Sequence, residues 1–181
     1  MKKLPADFSY EKFGLKVSLV NEKDASFILH LRTNNKLSRH LHPTQDDLEC
    51  QIQWIREYKI REKEGREYYF IFSKDDKPIG VNRVYNIFEY FGVGGSWLCD
   101  PNNDPMDSLI TTILGDEVCF DIIGLAYIVF DVRKANTHVW KFHESRGAIK
   151  IGESDIDYYY YLSKTNYKSK INKYLRLLNK V

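Results

Sequence analysis

Two arginines, Arg32 and Arg83, carry planar guanidinium forks that pair bidentately with phosphate, so they suit an acidic small molecule such as a nucleotide diphosphate. Surface salt bridging is the commoner use of any single arginine. Tyr85 and Trp97 could add a flat stacking surface, or simply fill core. His40 and His42 stand two residues apart, a spacing that suits a metal pair, but no clear third ligand lies nearby and no metal site is read. Cys50, Cys99 and Cys119 are odd in number and form no Cys-x-x-Cys pair. This argues against a disulfide framework or a cysteine zinc site and for a reducing compartment. Gly92, Gly94 and Gly95 leave one strand nearly bare, which suggests a bulge or a place where another backbone or a ligand comes close.

Those side chains need a scaffold, and the composition supplies one. A chain of 181 residues, 43% hydrophobic and 14% aromatic, fits one domain with a real core and excludes disorder. Lys+Arg 27 against Asp+Glu 25 lacks the basic excess of a nucleic-acid binder. The start, Met1 to Asp7, has no apolar signal segment, and the longest apolar run, Ile122 to Val132, is too short for a membrane span. The expectation is a cytoplasmic protein without nucleic-acid or membrane partners.

Periodicity then places the elements. Leu15 to Val20 alternates as a half-buried strand, and Asn21 with Asp24 opens a helix that Asn34-Asn35 ends. Asp47 starts a second helix, with Leu48, Ile52, Ile55 and Tyr58 at helical spacing up to Gly65. Tyr68 to Phe72 and Ile79 to Ile87 read as a hairpin, followed by a strand from Gly92 to Cys99. Asp104 and Pro105 cap a helix running to about Asp121, Leu125 to Val132 is a buried strand, and Asn136, as N-cap or as a free amide, opens a helix to about Arg146. Ile149 to Ile151 and Asp157 to Leu162 close the fold. Residues 163–181 form a basic helical extension that holds Lys164, Lys168, Lys170, Lys173, Arg176 and Lys180 with no acid. That tail could be a solvated face packed on the domain, a homodimer contact or an anchor for an anionic surface. Helices after the glycine-rich strand and after the buried strand make those two strands parallel neighbours, with a crevice where their C-terminal ends diverge.

This order resembles the GNAT superfamily of acetyl-CoA-dependent N-acetyltransferases over roughly Leu15 to Leu162. Three stretches carry it: Leu31 to Asn35 with Gln53-Trp54-Ile55, Pro78-Ile79-Gly80 leading to Gly95-Ser96-Trp97-Leu98, and Asn136 to Ala148 with Gly147 eleven residues after Asn136. The resemblance, closest to the branches that act on amino-sugar nucleotides and ribosomal proteins, implies an α/β fold. Its sheet is mixed and mostly antiparallel, with a parallel splayed strand pair and flanking helices, in residues 1–162. It also implies acetyl transfer to a primary amine by direct attack in a ternary complex, with a small-molecule acceptor such as an amino sugar on a nucleotide favoured and a protein N-terminus or small polyamine next. Trp97, Leu98, Cys99, Met106, Ser108, Asn136 and Lys141 would hold acetyl-CoA. Arg32, His40, Arg83 and Tyr85 would face the acceptor. His143, seven residues after Asn136, stands where many members carry the tyrosine that protonates the thiolate. Glu89, His40 or His42 would replace the usual base. Where the family has a glycine-rich pyrophosphate loop, this chain reads Asn102-Asn103-Asp104-Pro105-Met106-Asp107. Pro105 lacks an N–H and Asp107 adds an unwelcome charge. A GNAT-like binding module without catalysis is therefore the alternative.

Overall fold

The structure, a computed structural model, describes residues 1–41 and 43–178. Eight strands form one sheet in the order β1-β2-β3-β4-β5-β6-β8-β7. They are β1 (Ser9–Lys12), β2 (Leu15–Leu19), β3 (Tyr68–Lys74), β4 (Lys77–Phe88), β5 (Phe91–Cys99), β6 (Tyr127–Arg133), β7 (Ile149–Glu153) and β8 (Asp157–Ser163). The helices are α1 (Ala25–Thr33), α2 (Asn35–Ser38), α3 (Leu48–Glu64), α4 (Pro105–Glu117), α5 (Thr137–Ser145) and α6 (Lys164–Leu178). Strand β1 carries no clear alternation and was not expected from the sequence. Among the described residues no helix is long and apolar enough to cross a membrane.

Period-two alternation in β3 divides the core. Tyr69 and Ile71 face α1 and α3, in a cluster with Ile28, Leu31, Ile55 and Tyr58. Tyr68, Phe70 and Phe72 face the other way, with Ile110 and Leu114 of α4 and Tyr167 and Ile171 of α6. The turn from β3 to β4 is a two-residue loop with positive φ at Asp75 (49°) and Asp76 (59°), the twist that matches a hairpin. Helix α3 begins where Asp47 accepts from the Cys50 N–H at 3.0 Å and stops at left-handed Gly65. Its buried face is Gln51, Ile55, Tyr58 and Glu62 rather than one starting at Leu48, which is exposed. Helix α4 ends at Glu117, and a π-helical turn from Val118 to Ile123 carries the chain to left-handed Gly124.

Helix α6 is tied down through its basic side chains as well as its apolar face. Lys164 and Lys168 both pair with Asp121, and Lys173 donates to the Ser145 carbonyl at 2.6 Å. Lys180 lies outside the described residues, as does His42.

The feature that positions the site is the meeting of β5 and β6. They pair in parallel only at Phe91–Tyr127, Gly92–Ile128 and Val93–Val129. Beyond Val93 the two strands separate, while β5 stays paired to β4 on its other edge. A bulge there lets the register jump from Arg83–Gly95 to Val81–Leu98, and Ser96 within it has φ of 52°.

Candidate active site

The splay opens a cleft of about 320 Å³, with Gly94 to Leu98 on one wall and Ile128 to Arg133 on the other. Because β5 has no ladder partner on this edge, its backbone groups there can accept an extended amide-bearing chain as a strand would. A Cβ added at Gly94 would meet nothing nearer than 3.8 Å, whereas one at Gly95 would press the Tyr85 ring at 3.2 Å. Glycine at 95 therefore lets Tyr85 lie against the strand.

A second pocket of about 270 Å³ lies under α3, lined by Thr44, Gln51, Trp54 and Tyr69 among others. Arg32, Arg83 and Ser96 border both spaces, so the two meet at the β5 bulge. Arg83 is clamped there: its Nε donates to Glu67 Oε1 at 2.5 Å, and its guanidinium lies 5.0 Å from the Trp54 ring and 4.4 Å from the Tyr85 ring. Glu67 is buried and also takes Arg61 Nε at 2.6 Å. Arg32 donates Nε to Thr44 Oγ1 at 2.7 Å and has no ion-pair partner among the described residues.

At the inner end of the cleft, three residues from α5, its C-cap and α4 build a buried polar chain. His143 of α5 is 9% exposed and packs against Phe130, Trp97 and Phe142. Arg146 donates Nε to His143 Nδ1 at 3.0 Å and pairs through Nη1 with Asp116 of α4. Arginine can only donate, so His143 Nδ1 is an acceptor and Nε2 keeps the proton in the neutral ring. Burial pushes the His143 pKa down to about 3. At neutral pH the ring is therefore an uncharged N–H donor.

The other expected site residues divide between the cleft and the surface. Arg32, His40, Arg83, Tyr85, Trp97, Leu98, Asn136 and His143 all line the cleft. Asn136 makes no side-chain cap for α5, and its side chain stands at the cleft wall, so of the two uses open to it the cap is not the one taken. Cys99 lies outside the lining, 3.4 Å from Thr111 Oγ1. Lys141 is exposed on α5, its Nζ over the Trp140 ring at 5.5 Å. Glu89 lies in the exposed β4–β5 turn with φ of 48° and reaches neither pocket; the turn that reverses the strand carries it to the far end of the splay.

Met106 and Ser108 also stay off the cleft, because the start of α4 is satisfied by its own chain. Asp104 accepts from the Met106 N–H at 2.8 Å, and the N–H groups of Asp107 and Ser108 both go to the Asp104 carbonyl. Asp107 turns inward and is held by Lys74 at 3.0 Å, so its charge is compensated rather than presented to a phosphate. The sequence reading missed Gln51, Thr44, Tyr69, Glu67 and Asp131. Asp131 lines the cleft and has no ion-pair partner among the described residues; its charge, after burial, raises the Tyr85 pKa.

Comparison with solved structures assigns the class. The chain is 36% identical to apo FdhC, a nucleotide-linked sugar GNAT, over 95% of this chain and 99% of that one, with a TM-score of 0.84. It shares the fold of ribosomal-protein-S5-alanine acetyltransferase from Vibrio fischeri, with 19% identity, 89% and 99% coverage and a TM-score of 0.70. It also shares that of spermidine N-acetyltransferase from Vibrio cholerae in complex with CoA and spermine, with 16% identity, 87% and 99% coverage and a TM-score of 0.70. No protein-family profile and no curated protein sequence matches. The chain belongs to the GNAT superfamily. It is accordingly an N-acetyltransferase, with acetyl-CoA as co-substrate.

Proposed function

We propose that the enzyme acetylates a primary amine on an anionic small molecule, with an amino sugar on a nucleotide fitting best, by direct attack while both substrates are bound. One observation carries this reading. The acceptor end, where the two pockets meet, holds Arg32 and Arg83, and the smaller pocket has no carboxylate in its lining. Positive charge there repels a polyamine. It also lowers the pKa of a bound ammonium, so more of the amine is neutral and able to attack. The 36% identity to a nucleotide-linked sugar GNAT points the same way.

The bound thioester supplies the electrophilic carbonyl; the chain supplies placement and protons. The free edge of β5 from Gly94 to Leu98 aligns the arm, with the Asn136 amide reaching it from the opposite wall. Asp131, the unpaired carboxylate of the cleft, takes the amine proton. His143 donates its Nε2–H to the leaving sulfur as charge builds there, the use of a neutral imidazole as a fixed dipole. The closed start of α4 leaves the diphosphate of CoA to exposed side chains.

An acceptor screen that follows free thiol tests this, offering nucleotide-linked amino sugars, spermidine and an alanine-initiated peptide. Faster turnover of a nucleotide sugar is the expected result. Preference for spermidine or the peptide would overturn the reading.

A further inference from the structure

The smaller pocket contains a side chain that the fold itself does not explain. Tyr69 is 2% exposed, and its hydroxyl has no hydrogen-bond partner among the described residues. A buried hydroxyl left unpaired costs on the order of 1–3 kcal/mol, and phenylalanine would pack the same ring without that cost. Tyr69 belongs to the lining of the 270 Å³ pocket, beside Arg32, Gln51 and Thr44. Burial pushes its pKa up to about 12 against the pull of Arg32 and Arg83, so it stays a protonated donor.

The charge balance of the pocket selects the ligand. Glu67 is one carboxylate shared by Arg83 and Arg61, so that trio keeps a net positive charge. Arg32 has spent only Nε, on Thr44. The pocket therefore has an excess of positive charge, with Arg32 in no ion pair among the described residues, beside an orphaned phenol donor, the pair an oxyanion needs. Trp54 lines the pocket from α3, its ring stacked on Tyr58 at 5.9 Å, and the half-buried Arg32 stands on the same wall as Tyr69.

We propose that this pocket is an oxyanion subsite of the acceptor, in which Tyr69 Oη and the Arg32 guanidinium hold one phosphate or carboxylate group. This rests on the acetyltransferase reading for the meaning of "acceptor", but the subsite itself does not. Tyr69 is then a specificity residue that holds the anionic part of the acceptor while the amine points to the β5 bulge.

The experiment is calorimetric titration of the whole chain with uridine diphosphate, pyrophosphate and malonate, each with CoA already saturating so that the cofactor side is filled. Binding of the phosphates marks a phosphate site, and binding of malonate a carboxylate site. Tyr69→Phe should weaken whichever probe binds by about tenfold or more, with CoA affinity unchanged. The same variant should melt at the wild-type temperature or above it, since it deletes an unpaired buried hydroxyl. A structural tyrosine would instead lose melting temperature without losing anion affinity. Absence of any anion binding to the wild type, or unchanged affinity in Tyr69→Phe, overturns the proposal. Either result can occur whether or not the screen finds a nucleotide sugar, so the two failures are separable.

Discussion

At the start of α4 the N–H groups of Met106, Asp107 and Ser108 are all paired within the chain, whereas under α3 the Tyr69 hydroxyl and most of the Arg32 guanidinium are not. Both regions are candidate anion sites by residue type, although only the second lines a pocket. Pairing separates them. A donor already satisfied gains little from a ligand, since one hydrogen bond is exchanged for another. An orphaned donor gains the full bond and loses its desolvation penalty. On the proposed reading, acceptor recognition falls to the Tyr69 pocket and the cofactor diphosphate to the exposed rim.

The largest test of that contrast is removal of the uncompensated charge. Arg32→Met should lower kcat/KM for an anionic acceptor by about 10²-fold or more, because a desolvated ion pair is lost with nothing to replace it. The Kd for CoA should stay within about twofold, as should kcat/KM for a small neutral amine. Equal losses for anionic and neutral acceptors would place Arg32 in the general architecture and erase the distinction between the two ends.

A second test concerns the inner end of the cleft, where His143 sits between the two regions. His143→Leu removes a donor to the reacting sulfur and should cut kcat by about 10- to 10²-fold, leaving CoA affinity nearly unchanged. Because the folded ring titrates only at about 3, the wild-type pH–rate profile should lack any limb near 6.5 that disappears in the variant. Arg146 facing Nδ1, Asp116 beyond it, and the aromatic rings of Phe130, Trp97 and Phe142 leave no acid that could restore the charged form. A limb near 6.5 that is lost with His143 would restore the imidazolium as proton donor.

The same burial links stability to pH. In the unfolded chain His143 titrates near its ordinary 6.5, and in the folded chain at about 3. Between those values the unfolded state binds more protons, so stability falls as pH drops below about 6.5, by at most about 1.4 kcal/mol per pH unit from this group. Melting curves from pH 7 to pH 5 should show the decline, and His143→Leu should flatten part of it. A decline of equal slope in both proteins would assign it to other groups.

These sites were unequally visible in the sequence, and the reason is how each is assembled. The splayed strand pair followed from local order, since bare glycines and a helix after each strand leave few other arrangements. Asp47, Gly65 and Asp104 were legible as caps because capping involves neighbours only a few residues apart. The pocket of Tyr69 was not legible: Arg32 comes from α1, Gln51 and Trp54 from α3, and Tyr69 from β3. In Tyr68-Tyr69-Phe70-Ile71-Phe72 the aromatic run reads as core, and nothing in the pattern reveals which hydroxyl lacks a partner. Glu67 was hidden in a turn, although it decides which arginine is free. Asn136 was ambiguous in sequence, a cap-type residue at a helix start whose side chain the fold leaves to the cleft.

The smallest expected effect probes the satisfied end directly. Asp104→Ser keeps an oxygen that can accept from the Met106 N–H, so stability should change by no more than about 0.5 kcal/mol. What it removes is one negative charge at the mouth of a helix whose dipole would otherwise favour anions. CoA affinity should rise by about two- to threefold at low ionic strength and converge on wild type at high salt, since the site is exposed and screened. Anion affinity at the Tyr69 pocket should not move. An unchanged CoA affinity at low salt would mean that the diphosphate never approaches α4. A fall in affinity would mean that Asp104 orders a phosphate contact instead of repelling one, and the two ends would then differ in sequence but not in kind.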